Sequence, residues 1–65
     1  MIEASVCTIG DEILIGQVAD TNSAMISRFL GESGVKVSRM ISMPDNREEI
    51  LNILRNELKN NDIVI

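Results

Sequence analysis

Three apolar segments, residues 2–9, 36–43 and 62–65, alternate with two stretches of helical periodicity, and this order constrains the fold more than any other feature. Each gap between strands is long enough for a crossover helix, which favours parallel strands joined by right-handed connections. The predicted class is α/β: a three-layer doubly wound parallel sheet, of which this chain is the first β-α-β-α-β portion. A chain of 65 residues buries only about 60% of the surface its unfolded form exposes, so the core is expected to be marginal. The last segment, Asp62-Ile63-Val64-Ile65, reads as a strand buried on both faces, which demands cover from both sides. Residues 1–65 are therefore expected to be an incomplete domain that continues past Ile65.

Local signals place the elements. Ile2, Val6, Cys7 and Ile9 make residues 2–9 a buried strand that Gly10 ends. Met25, Ile26, Phe29 and Leu30 recur at helical spacing and predict a helix over 21–33. Asp20, Thr21, Asn22 and Ser23 supply its start, Gly31 weakens its last turn, and Gly34 closes it in the left-handed conformation. Gly16 points to a positive φ or a close approach of another segment. In residues 36–43, Val37, Arg39 and Ile41 share one parity, and Pro44 breaks the strand. Asn46 followed by Glu49 fits a capping box, with Ile50, Leu51, Leu54 and Leu58 as the buried stripe of a second helix that Asn60 and Asn61 end. Met25, Met40 and Met43 read as core filling, and Cys7 as a small buried hydrophobe.

Composition removes several functions. A net charge of -4, with six basic residues spread along the chain, leaves no electrostatic footprint for nucleic acid or an anionic membrane surface. No apolar run approaches the roughly 20 residues of a spanning helix, and the first residues lack an export pattern, so the cytoplasm is the default location. With no histidine and a single cysteine, no zinc site, internal disulfide or Ser-His-Asp triad is available within these residues. Gly10 and Gly16 lie too far apart for a dinucleotide fingerprint, and no Gly-Lys-Ser/Thr follows a strand.

Chemistry is expected at the strand ends. Parallel strands bring the turns Gly10-Asp11-Glu12 and Pro44-Asp45-Asn46 to one carboxyl edge, where open α/β folds bind ligands. Glu12 and Asp45 can then share a divalent cation, or one can act as a base towards water. The same spacing suits solvated turn residues, with Asp45 stabilising a helix start through the macrodipole. Asp20-Thr21-Asn22-Ser23 reads as an anion-contacting loop or as a plain cap. Capping is the better reading, because Asp20 would oppose a phosphate.

The run Ile9-Gly10-Asp11-Glu12-Ile13-Leu14-Ile15-Gly16-Gln17-Val18-Ala19-Asp20-Thr21-Asn22-Ser23 closely resembles the opening of the competence- and damage-inducible protein A (CinA) family. Gly34-Val35-Lys36-Val37, Pro44-Asp45-Asn46-Arg47-Glu48 and Asp62-Ile63-Val64-Ile65 agree in order and spacing, so the likeness covers the whole chain. It implies the N-terminal portion of a molybdopterin-binding-like domain that holds a nucleotide-like phosphate ester. In several members it implies hydrolysis of ADP-ribose at its pyrophosphate with a divalent metal, often with a further domain that deamidates nicotinamide mononucleotide. By this resemblance Glu12 and Asp45 are catalytic and metal-holding, and Gly10, Asp11, Thr21 and Asn22 contact the ligand. The complete protein is expected to be a homo-oligomer. A Thr-Gly-Gly type loop expected after Ile65 would cradle phosphates, so activity is not expected from these residues alone. The rival readings are a module that binds molybdopterin without hydrolysis, and a structural piece that folds only with a partner chain.

Overall fold

The computed structural model describes residues 1–16 and 19–65. Its elements are β1 (Glu3–Ile9), α1 (Asp11–Leu14), α2 (Thr21–Glu32), β2 (Lys36–Met43), α3 (Arg47–Asn60) and β3 (Ile63–Val64). The expected β-α-β-α-β order is present with one addition, the single turn α1. It starts at Gly10, carries Asp11 and Glu12 in its first turn, and is closed by bonds from Ile15 N–H to Asp11 O and Gly16 N–H to Ile13 O. The two acids suit the positive end of a helix, and Gly16 takes the positive φ, 80°, that the turn requires.

The sheet has the order β2-β1-β3, all parallel. The first crossover steps from β1 to β2 and the second returns past β1 to β3, so connections of one hand lay α2 and α3 on opposite faces. Side chains agree. The Ser5 hydroxyl donates to Glu57 of α3, and its neighbours Ala4 and Val6, which point the other way, are buried on the α2 side.

A bulge in β2 decides which residues share a face. Ala4 pairs with Val37 but Ser5 pairs with Arg39, leaving Ser38 as the extra residue. Its hydroxyl bonds Ala4 O and Asn61 Oδ1 instead. Cross-strand partners point to the same side, so Val37 joins Ala4 over α2 while Arg39 and Ile41 join Ser5 and Cys7 over α3. The simple alternation that put Val37, Arg39 and Ile41 on one parity is broken at Ser38.

Both long helices begin and end on the residues the sequence indicates. The Asp20 carboxylate accepts from Ser23 N–H at 3.0 Å, and Asn46 Oδ1 accepts from Glu49 N–H at 3.2 Å. The Asn46 N–H is bonded to Pro44 O, so Asn46 caps the helix without a reciprocal bond from Glu49. Gly34, at φ 86°, closes α2 in a Schellman arrangement, with Gly34 N–H to Gly31 O and Val35 N–H to Leu30 O.

The core is small, as the length implies: among the described residues Ala4, Val6 and Met43 are the apolar side chains fully withdrawn from solvent. Several positions expected inside are not. On α2, Ile26 and Leu30 are half-buried while Met25 and Phe29 stay exposed; on α3, Ile50, Ile53 and Leu54 are half-buried while Leu51 and Leu58 face solvent. Met40 is also exposed, Cys7 is half-buried, and Ile63 and Val64 are half-buried rather than covered on both faces.

The inward line of α3 ends on Glu57, which is 1% exposed. Its carboxylate accepts from Ser5 Oγ at 2.7 Å, Arg39 Nη1 at 3.0 Å and Asn56 Nδ2 at 3.3 Å. A buried carboxylate is tolerated only with such donors around it. Ser5→Ala removes the shortest of these bonds and is expected to lower unfolding free energy by about 1.5–3 kcal/mol in urea titration.

Candidate functional site

The backbone joins the ends of β1 and β2 directly. Ile9 pairs with Met43, and Gly10 N–H bonds Met43 O at 3.1 Å. Two residues beyond this bond on one strand lies Glu12, and two residues beyond it on the other lies Asp45. The turns Gly10-Asp11-Glu12 and Pro44-Asp45-Asn46 thus occupy one carboxyl edge, and Asp11, Glu12 and Asp45 are all exposed there.

Gly10 has φ 153°, a conformation that side chains rarely adopt. A Cβ built on it would stand 2.8 Å from Glu12 Oε1, with the rest of the Glu12 carboxylate next nearest. The acid therefore folds back from α1 over Gly10 at the end of β1, and the missing side chain at position 10 is what leaves room for it.

The start of α2 meets the same edge. Asp20 caps the helix, and its carboxyl is held below the ordinary aspartate range first by the Ser23 hydroxyl and backbone N–H and, to a smaller degree, by the neighbouring Thr8 hydroxyl. Thr8 in turn bonds Ser42 across the strands at 3.0 Å. A line of polar groups, Asp20, Thr8 and Ser42, so runs from the α2 cap across the ends of β1 and β2. Thr21 and Asn22, in the first turn of α2, are exposed above it.

Of the candidates named from the sequence, Gly10, Asp11, Glu12 and Asp45 lie in the two turns joined by the Gly10 N–H to Met43 O bond, while Thr21 and Asn22 lie in the first turn of α2. Gln17, part of the quoted motif, and Val18 lie outside the described residues. Thr8 and Ser42 were missed. Their signal was a hydroxyl in the penultimate position of each predicted strand, on faces that parallel pairing brings together. Among the described residues no group of three or more His, Cys, Asp or Glu side chains clusters as a metal cage. The carboxylates exposed in the two turns are Asp11, Glu12 and Asp45. No described helix is long and apolar enough to cross a membrane.

A domain family described as "Probable molybdopterin binding domain" matches residues 5–65. The chain belongs to that family. Similar proteins include a CinA-like protein of Cytophaga hutchinsonii, 48% identical over 64 residues, covering 98% of this chain and 15% of the relative. A CinA-like protein of Flavobacterium psychrophilum is 42% identical over the same shares. The solved CinA structure from Thermoplasma acidophilum superposes with a TM-score of 0.91 at 40% identity, covering 95% of this chain and 38% of that one. The family fold is thus the one described above, and the chain spans about 15% of the length of the curated relatives it matches.

Two outcomes follow for this edge. The lowered Asp20 pKa means that the folded state releases this proton more readily than the unfolded state. The stability it contributes is complete above the ordinary carboxylate range and disappears as pH falls through the lowered value. Asp20→Ala is expected to lower the Tm at neutral pH, with the gap from the parent closing as pH falls through and below the ordinary aspartate range. Gly10→Ala is expected to destabilise by about 1–3 kcal/mol, the range for a residue held in a sparsely populated backbone region. It also displaces the Glu12 carboxylate, seen as a shift of its side-chain carbon resonance.

Proposed function

We propose that this carboxyl edge is the part of a CinA-like protein that holds a nucleotide-like phosphate ester, and that the complete protein hydrolyses ADP-ribose at its pyrophosphate. The observation that supports this most is the Gly10 N–H bond to Met43 O at 3.1 Å, which fixes the Glu12 and Asp45 turns side by side at a sheet edge suited to ligands.

The donor set fits a hard divalent cation of the magnesium kind, which is commonly bound through one or two carboxylates together with substrate phosphates and water. Glu12 and Asp45 would hold it, and when bound it neutralises developing charge on phosphoryl oxygen. The chain's own residues act around it. Gly10 lets the Glu12 carboxylate lie against the strand end, and Asp11 shapes the α1 turn. Asp20 keeps the start of α2 ordered, so that the Thr21 hydroxyl and Asn22 amide can donate to the ligand. Asp20 itself is occupied as a cap, which leaves phosphate contact to its neighbours. A deamidase acting on nicotinamide mononucleotide, where fused, lies outside the matched portion.

A second reading has support in the family's own description as a probable molybdopterin-binding domain: the same edge captures a pterin phosphate without cleaving anything. The test uses a chimera in which these 65 residues replace the matching segment of the Cytophaga hutchinsonii protein. With magnesium, this chimera is expected to hydrolyse ADP-ribose, and Glu12→Gln to reduce turnover by about 100-fold or more, the scale of a lost acid-base or charge-stabilising group, with unchanged circular dichroism. Full turnover in the Glu12→Gln chimera removes Glu12 from catalysis. Tight molybdopterin binding without ADP-ribose cleavage replaces the hydrolytic reading by the second one.

A further inference from the structure

Between α3 and β2 lies a cleft of about 280 Å³ lined by Arg39, Ile41, Asn52, Ile53, Asn56 and Glu57. The bulge at Ser38 turns Arg39 and Ile41 to this face. Along α3, Asn52 and Asn56 stand one turn apart, as do Ile53 and Glu57, so the helix offers two amides beside an apolar and an acidic position. Ile41 and Ile53 are half-buried and give the cleft its apolar lining.

The hydrogen bonds show which groups are already committed. Glu57 Oε1 accepts from Ser5 Oγ at 2.7 Å, and Oε2 accepts from Arg39 Nη1 at 3.0 Å and Asn56 Nδ2 at 3.3 Å. This carboxylate therefore has little left to offer. The donors have more. Arg39 bonds Glu57 through Nη1, and among the described residues no group accepts from its Nε or Nη2. These two atoms share one side of the guanidinium plane, where parallel N–H bonds match the two oxygens of a carboxylate. The Arg39 side chain is 55% exposed, and Asn52 is exposed beside it in the same lining.

Charge and size narrow the ligand. Glu57 already balances Arg39, so a doubly charged phosphate would meet an acid next to its cation, whereas a carboxylate brings one charge and accepts two bonds. The volume falls near the lower end of the roughly 300–1,000 Å³ usual for ligand pockets, which suits a small molecule. We infer that this cleft binds a small carboxylic acid with a short apolar body. Its carboxylate pairs side-on with Arg39 Nε and Nη2, the Asn52 amide donates to one of the same oxygens, and its body rests on Ile41 and Ile53. Ligand and Glu57 use different nitrogens of Arg39, so binding adds to the contact between β2 and α3 without replacing it. The inference goes beyond the hydrolytic reading and involves neither Glu12 nor Asp45.

The test uses the chimera described above, isotope-labelled at asparagine and arginine, with isobutyrate as the probe. At constant ionic strength the side-chain resonances of Asn52, Asn56 and Arg39 are expected to shift together and to saturate, with half-saturation on the order of millimolar for a ligand of so few atoms. Inorganic phosphate is expected to bind at least about tenfold more weakly. Arg39→Lys keeps the positive charge but loses the paired N–H bonds, and is expected to weaken isobutyrate at least about tenfold. Asn52→Asp sets a like charge beside the ligand and alters no bond to Glu57. It is expected to weaken isobutyrate at least about fivefold, which keeps the test valid if Arg39→Lys loosens α3. Shifts that do not saturate, phosphate binding as tight as isobutyrate, or an affinity unchanged in Asn52→Asp overturn the inference. ADP-ribose turnover, measured in parallel, reports on the hydrolytic reading separately.

Discussion

Withdrawing the Glu57 carboxylate from water between α3 and the sheet is expensive, and the surrounding donors have to return most of that solvation. Ser5 from β1, Arg39 from β2 and Asn56 from α3 itself supply it. Three elements are thereby tied to one group. The Arg39 side chain is half exposed, so its ion pair is screened and contributes less than its length suggests. The buried Ser5 hydroxyl, at the central strand, is the firmer anchor. Asn61, which ends α3, adds bonds from its amide to the Glu57 carbonyl and from its backbone N–H to the same oxygen. The helix is thus fixed at the point where the chain turns into β3.

This arrangement requires the bulge. Were Ser38 paired in regular register instead of bulged, the partner of Ser5 would be Ser38 rather than Arg39, and the guanidinium would sit on the α2 face, away from the carboxylate. Bulges re-aim side chains in this way. Here the bulge also changes the exposed edge of β2, so one irregularity both completes the Glu57 network and separates the two sheet edges in character. The latch lies near the start of β1 and the candidate site at its end, about five residues or roughly 16 Å apart along the strand. The polar groups that fix α3 and those offered to a ligand therefore do not compete.

Much of this was legible in the sequence where the signal is local. Gly34, Asp20 and Asn46 act at helix ends through bonds to residues three or four positions away, and they occur where propensity places them. The shared edge of Glu12 and Asp45 was legible too, because parallel strands joined by helices permit few other arrangements. The single turn α1 was not: four residues are too few to establish a period. Glu57 was hidden for a different reason. An acid in the middle of Asn56-Glu57-Leu58 is indistinguishable from a solvated helix position until its donors, 52 and 18 residues away in sequence, are brought beside it. The Thr8–Ser42 bond depends on register across 34 residues, and register past a bulge cannot be counted from alternation alone.

The misplacements in the core have one common direction. Met25, Phe29, Leu51 and Leu58 were assigned inward by helical spacing and are found exposed, whereas Ser23 and Glu57 are polar and buried. An apolar stripe shows which side of a helix can be covered without desolvation cost; whether it is covered depends on what stands opposite. On α2 the side towards β1 and β2 is occupied, and the side towards β3 opens onto an apolar groove. Its stripe is wider than a three-stranded sheet can meet, spanning Ile26 and Leu30 against the strands and Met25 and Phe29 beyond them.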